Sequence, residues 1–442
     1  MLGGIELNGG GVIEELKADE HYKYLGINEL DGIKHAQMKE KIWSEAKSKL
    51  RKILGTQLNS KNMMVAVNEV VTPVISYSFG VVDWLEGELK DIDVKIRKLL
   101  NMHGMLVATS DVDRIYASRA SGGRGLQSIW DSFQACMCRL AHYMCQSESE
   151  VMKICADTDS KTLFSITKRA AKYSAKVKVT LPEQFENHDL LQQARIVAGK
   201  TRDALLDSRL QAWKVKPQHG AYLRQLDTKN LDPVKSMAWV NGCFLDPHTE
   251  SYLFAAQELA LFTRYHECRI LKLRDDDLCR ICRKETESIY HILAGCDCLA
   301  KREYFARHNS ICKYVHFVIM KEFAFPCAPN WFVHDPAEVV RSNNVEIIYD
   351  QFITTDRPIG ANRPDILVRD KANKMVYIID VSCPMEANVW NKEVEKVSKY
   401  GPLKEELKRM WNCRGIVVPV VVGCLGAVSK NIEAFAEYSW MS

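Results

Sequence analysis

Two carboxylates close the ends of one short stretch, Pro364 to Val381, which reads PDILVRDKANKMVYIIDV. Ile366 to Val368 and Met375 to Ile379 are apolar, largely β-branched runs that read as buried strands, and Arg369 to Lys374 between them is a polar turn. A hairpin tip centred between Ala372 and Asn373 sets Asp365 directly opposite Asp380, with Cβ atoms about 4.5–5.5 Å apart. Carboxylates that close repel unless a divalent cation sits between them. Mg²⁺ held there would stabilise charge on a phosphodiester. The plainer alternative is that Asp simply marks strand ends and turns. Downstream, Asn391 to Tyr400 reads NKEVEKVSKY, in which Lys392, Lys396 and Lys399 recur at helical spacing and share a face. A lysine from that helix is expected to reach back to the carboxylates.

A second set of chemical residues is Cys279-x2-Cys282-x8-His291-x4-Cys296. Two Cys on a tight turn, with a His and a Cys at helical spacing, supply the four soft ligands that tetrahedral Zn²⁺ needs. Cys298 is an alternative fourth ligand, and buried cysteines acting as small hydrophobes are the alternative to metal. Asp275-Asp276-Asp277 is expected to end the helix before this element.

The elements that must position these residues follow from periodicity. Val345 to Ile353 reads as a further strand. Ile416 to Val422 reads as a central strand of the same sheet, although it contains Pro419, which favours edges. Strands alternating with helices make this region α/β. Arg363, beside Pro364, is positioned to contact a phosphate or simply to be solvated. Upstream, His21 to Ile27 (HYKYLGI) suggests a hairpin following the Gly-rich turn Gly9-Gly10-Gly11. Lys39 to Leu54 repeats Ile42, Trp43, Ala46, Leu50 and Ile53 on one side of a helix. Helices are also expected over Met63 to Trp84, interrupted at Pro73, and over Asp91 to Leu100, Ser132 to Tyr143 and His188 to Val215. Ser121 to Leu126, SGGRGL, is either a phosphate cradle or, as the plainer reading, a helix-joining loop. Arg209, Trp213, Lys214 and Lys216 mix charge with an aromatic ring, as nucleic-acid surfaces do, and as solvated helix faces also do.

These segments carry a resemblance. PDILV, IIDVSCP, NKEVEKVSKYGPLKEELKRMW and VVPVVVGCLGAVSKN look like the restriction-like endonuclease domain of R2-type non-LTR retrotransposons, a nuclease of the PD-(D/E)XK type. The usual strand lysine is replaced here by Ser382. In that group the catalytic lysine stands in the following helix, in a K-x-x-K-Y context that Lys396, Lys399 and Tyr400 match. Gly401-Pro402 departs from the family's continuous helix and is expected to restart it at Pro402. Met385-Glu386 stands where Gly-Asp is commoner. A CCHC element before the nuclease, YFARH at Tyr304 to His308, and the Trp331 segment also follow the family. YKYLGI, KSKLRKIL, LNSKNMMVAVNEVVTPVISYSFGVVDW, IRKLLNMHG and DVDRIYASRASGGRGL resemble the end of the palm and the thumb of the same polymerases. No Y/F-A-D-D occurs, so the resemblance implies no polymerisation by this chain alone.

The fold class expected is a multidomain α+β chain: a mostly helical N-terminal two-thirds, a small zinc knuckle and a C-terminal α/β PD-(D/E)XK-like nuclease. Its parts are 1–30 (end of the palm), 31–130 (thumb-like), 131–265 (helical linker), 266–312 (CCHC knuckle) and 313–442 (nuclease). The 442 residues, 47% hydrophobic and 26% charged with net charge +4, have an ordinary globular balance, so any DNA contact is local rather than a coat of basic charge. Fifteen irregularly spaced Cys without a secretory leader indicate reduced thiols or metal. No apolar run reaches about 18 residues, so no membrane span is expected.

The resemblance implies a Mg²⁺-dependent DNA endonuclease that nicks a target for primed reverse transcription. Asp365 and Asp380 would hold Mg²⁺, Lys399 or Lys396 would assist hydrolysis, and Cys279, Cys282, His291 and Cys296 would hold Zn²⁺. Partners would be target DNA, element RNA and a full-length element protein, in the nucleus. The alternative is a non-catalytic nucleic-acid-binding remnant or a structural helper of a full-length copy.

Overall fold

A computed structural model describes residues 22–30, 32–178 and 188–432, with short strand segments at Ile5–Glu6 and Val12–Ile13; Gly9 to Gly11 and His21 lie outside these residues. The chain is α+β, mainly helical, with a mixed five-stranded sheet near the C-terminus. It divides into two compact units, 1–213 with 244–251, and 214–243 with 252–442, so the residues read as a linker divide between both. No helix of the described residues is long and apolar enough to cross a membrane.

The first unit opens on a hairpin of β1 (Tyr22–Tyr24) and β2 (Ile27–Leu30), turning at Leu25 and Gly26, both with positive φ. Helix α1 (His35–Leu54) buries Met38, Ile42, Ala46, Leu50 and Leu54 at the expected helical spacing. The next helical segment carries Pro73. Ser60–Ala66 is α-helical, Val67–Val71 widens into a π turn, and Thr72–Ser76 resumes with Pro73 in its first turn, where a missing N–H costs nothing. Helices α2 (Glu86–Met102), α3 (Ile129–Gln146) and α4 (Leu190–Lys214) follow. Leu50, Met64, Leu89, Leu100, Phe133 and Met137 join one core.

Two surface candidates turn out to be internal. The SGGRGL loop is a packed joint, because a Cβ on Gly123 would lie 2.2 Å from the carbonyl oxygen of Ala117. Arg124 is buried and points inward, donating to Ser60 Oγ (2.9 Å) and Glu250 Oε1 (3.2 Å), so it offers no phosphate cradle. Glu250 also takes Arg119 at 2.7 Å. Burial alone would raise the Glu250 carboxyl, but the hydrogen bond from Arg119 and the charge of Arg124 outweigh it and hold it below the usual carboxylate range. Arg209 pairs with Asp131 at 2.5 Å over the Tyr116 ring, and Trp213 is buried under Arg114, so neither belongs to a solvated face.

In the second unit, α5 (Phe305–Glu322) packs on a sheet of β3 (Val339–Arg341), β4 (Val345–Tyr349), β5 (Ile366–Asp370), β6 (Met375–Ser382) and β7 (Arg414–Val421). The spatial order is β7-β6-β5-β4-β3, antiparallel except for the β6/β7 pair. Ile366, Val368, Tyr377 and Ile379 face α5. Leu367, Val376 and Ile378 face the other side, under α7 (Gly401–Trp411). Both faces are thus covered, which is why β5 and β6 read as continuous apolar runs. The strand over Ile416 to Val422 is an edge strand, not a central one; an edge accommodates Pro419, which has no N–H to give a second neighbour. The strand over 345–353 ends at Tyr349, because Asp350 takes a positive φ.

Candidate active site and metal centre

The hairpin register is the one that opposes the two carboxylates. Ile366 pairs with Ile379 and Leu367 with Ile378, a tip between Ala372 and Asn373, so Asp365 stands one residue ahead of β5, level with Asp380 on β6. Oδ2 of Asp365 accepts from the Val381 N–H at 2.6 Å, a bond that fixes the carboxylate against the end of the sheet. Asp380 is 3% exposed. Its charge is met by the ammonium of Lys396, which sits against Oδ2 as an ion pair without an aligned hydrogen bond, and by Lys399, 3.9 Å from Oδ1.

Both lysines come from α6 (Val389–Lys399), Lys396 one turn before its end and Lys399 at its last residue. The helix breaks at Tyr400, and α7 begins with Gly401 and Pro402 in its first turn, the restart that Pro imposes. Tyr400 is buried at the break. Its hydroxyl accepts from Lys399 Nζ and donates to the Arg363 carbonyl, each at 3.0 Å. Burial first, and Asp380 second, push the Tyr400 hydroxyl far up, so it stays neutral. Lys396 therefore lies nearer to Asp380, and Lys399 is held by the tyrosine. Lys392 pairs with Glu395 at 2.7 Å. Arg363 pairs with Asp350 at 3.0 Å and stacks on the exposed Phe352 ring, 5.1 Å from its centroid. Glu386 is structural: it is buried, accepts from the Leu425 N–H, and is pushed up by burial.

Sequence reasoning missed two residues here. His308 of α5 reaches Asp365 from the other side of the sheet end, Nε2 to Oδ2 3.3 Å, and Cys312 stands one turn further along. The hydrogen bond to Asp365, and then the one to Cys312, push the His308 imidazole up to about 11 against the opposing effect of burial. The i, i+4 spacing of His308 and Cys312 was the signal available in the sequence.

The cysteine-rich element closes as a cluster. Ligand atoms of Cys279, Cys282, His291 and Cys296 lie within 4.8 Å of one another, a donor set that could hold a metal and is compatible with zinc. Cys279 and Cys282 sit on the turn of a small hairpin bridged at Leu278 and Thr286, and His291 starts a π turn that ends before Cys296. Cys282 Sγ stands 3.3 Å from His291 Nε2, whose other nitrogen faces Glu285 at 3.2 Å. That is the outer-shell carboxylate that a metal-binding imidazole usually has. The backbone N–H of Lys284 leads the groups that hold the Cys282 thiol down at about 6, against desolvation. Of the two alternatives for the fourth ligand, Cys296 is buried in the cluster and Cys298 is exposed outside it. Asp276 and Asp277 do not end a helix. They pair with Arg264 (3.2 Å) and Arg269 (2.9 Å), bracing the hairpin from outside.

No family model matches the chain, and no curated protein matches it either.

Proposed function

We propose that this chain is a Mg²⁺-dependent DNA endonuclease, the nuclease-bearing part of an R2-like retrotransposon protein. The observation that carries the reading is the convergence of Asp365, Asp380, Lys396 and Lys399 at one end of the β5–β6 hairpin. A divalent cation bridging the two carboxylates would neutralise charge on the scissile phosphodiester and make bound water a better nucleophile. Asp365, just ahead of one rigid strand, and Asp380, within the next, are opposed across the hairpin and supply hard oxygen donors. Lys396 neutralises Asp380 in the free chain and, once a cation takes over that task, is free to meet a phosphate oxygen. Lys399, steered by Tyr400, adds a second positive charge on the same helix face.

Unit one, in this reading, is the thumb-like part that grips nucleic acid, and the zinc knuckle contacts DNA or RNA. Target DNA, element RNA and a full-length element protein are the partners, and the nucleus the compartment. Polymerisation is left to a palm that supplies the paired aspartates. The test is nicking of supercoiled plasmid by the purified chain with Mg²⁺. Nicking by wild type that disappears in Asp365→Asn and Asp380→Asn supports the reading. A folded wild-type chain that leaves plasmid intact with every divalent metal supports the binding-remnant alternative instead.

A further inference from the structure

Helix α5 carries His308 and Cys312 at i and i+4, so their side chains share one face of it. That face meets the sheet at Asp365. His308 Nε2 lies 3.3 Å from Asp365 Oδ2 and 3.8 Å from Cys312 Sγ. One donor atom from each of the three residues falls within 4.8 Å of the others. Cys312 is buried among Val315, Ile319 and the β5–β6 core residues, whereas the His308 and Asp365 side chains remain 29% and 20% exposed. The cluster therefore has a fixed inner ligand and an open outer side through which an ion can enter.

Thiolate, imidazole and carboxylate together suit Zn²⁺ and similar borderline-soft ions, while Mg²⁺ prefers oxygen ligands alone. Bonds of about 2.0–2.3 Å to a tetrahedral ion set ligand atoms roughly 3.3–3.7 Å apart, close to the 3.3 Å and 3.8 Å at which His308 Nε2 stands from Asp365 Oδ2 and Cys312 Sγ. Three protein ligands leave one position for water. None of the three is shared with the Cys279 cluster.

We propose that His308, Cys312 and Asp365 form a second zinc-type metal site, separate from the knuckle. Asp365 belongs to this site and to the opposed carboxylate pair. Resting on the nuclease reading, occupation by Zn²⁺ takes Asp365 away from Mg²⁺, so zinc acts as an inhibitor of the nicking that Mg²⁺ supports.

The experiment uses the full chain dialysed against buffered Zn²⁺, with metal counted per chain. Wild type should hold two zinc ions, and Cys312→Ala and His308→Gln one each. Co²⁺ added after the knuckle is zinc-loaded should produce thiolate-to-cobalt absorption in wild type and none in Cys312→Ala. Alanine keeps the buried position apolar, and His308 is partly exposed, so the two variants do not depend on the same packing; circular dichroism checks both folds. One zinc in wild type, or a second zinc that persists in both variants, overturns the site. Plasmid nicking with Mg²⁺ is run alongside: added Zn²⁺ should remove most of the wild-type rate and leave Cys312→Ala active. Zinc bound at the second site without loss of nicking overturns the inhibitory role. Two-zinc binding by a chain that nicks under no condition upholds the site and refutes the nuclease reading.

Discussion

The Tyr400 hydroxyl donates to the carbonyl of Arg363 across 3.0 Å, tying the break between two helices to the residue that precedes Pro364 and Asp365. The same oxygen accepts from Lys399. One buried phenol thus sets both the start of the aspartate-bearing hairpin and the direction of a lysine. Tyr400→Phe should keep the packing, leave the Arg363 carbonyl without this donor, and cost about 1 kcal/mol in urea denaturation. Nicking by that variant should fall, because Lys399 loses its guide. An unchanged rate would show that Lys399 needs no guidance from Tyr400.

The two lysines should separate in stability measurements. Lys396 compensates a buried carboxylate from a mostly covered position, whereas Lys399 is 44% exposed. Lys396→Met strips Asp380 of its nearest cation and should cost on the order of 3 kcal/mol. Lys399→Met should cost below about 1 kcal/mol. Denaturant midpoints of the two variants compared with wild type give the order directly.

Acid should destabilise the second unit through a pair of imidazoles. His316 and His334 stack in the interior, Nδ1 to Nε2 2.8 Å, with Tyr349 edge-on to His316 and with Lys313 and Asp335 near His334. Burial, then the neighbouring His334, pulls His316 down to about 4. A folded value below the unfolded one means that the unfolded chain binds the extra proton. The stabilisation is then present above pH of about 6.5 and is lost as pH falls toward 4, roughly 3 kcal/mol in all. His316→Phe should flatten that part of the stability–pH curve; an unaltered curve would contradict the assignment.

Removing metal from the knuckle should unfold it locally. Cys282→Ser should release the knuckle zinc, as chelation also should, and expose the segment around 266–304 to protease, because such small elements draw much of their folding energy from the ion. Cys298→Ser should do neither, since that thiol is exposed and outside the cluster.

In the first unit, Glu250→Gln leaves Arg119 and Arg124 facing a neutral amide. The loss should be about 3–5 kcal/mol, as for other buried pairs broken on one side, and calorimetry measures it.

The hairpin register was legible because two apolar runs flank a short polar turn, and a tip at its midpoint, between Ala372 and Asn373, pairs the runs end to end. The knuckle was legible because metal ligation leaves few spacings. Residues whose partners lie far away in sequence were not. Arg124 looked like a surface cation because nothing local shows that Glu250 waits for it, 126 positions on. Arg209 and Trp213 were misjudged for the same reason. Asp365 announced Asp380 through strand pairing, but His308 approaches it from a helix on the opposite face, and no local pattern encodes that meeting. The edge position of β7 depended on strand order, which periodicity does not contain; only Pro419 hinted at it.

The start of α5 links two centres described separately. Tyr304 precedes its first residue, and its hydroxyl takes the Cys296 N–H at 2.9 Å while lying 3.0 Å from the His291 carbonyl. One turn later, about 6 Å along the axis, stands His308 beside Asp365. The first turn of this helix is therefore anchored at one end by backbone groups of the cysteine cluster and carries at its other end the imidazole that meets the hairpin aspartate. The backbone around His291 and Cys296 and the position of His308 share one short rigid span.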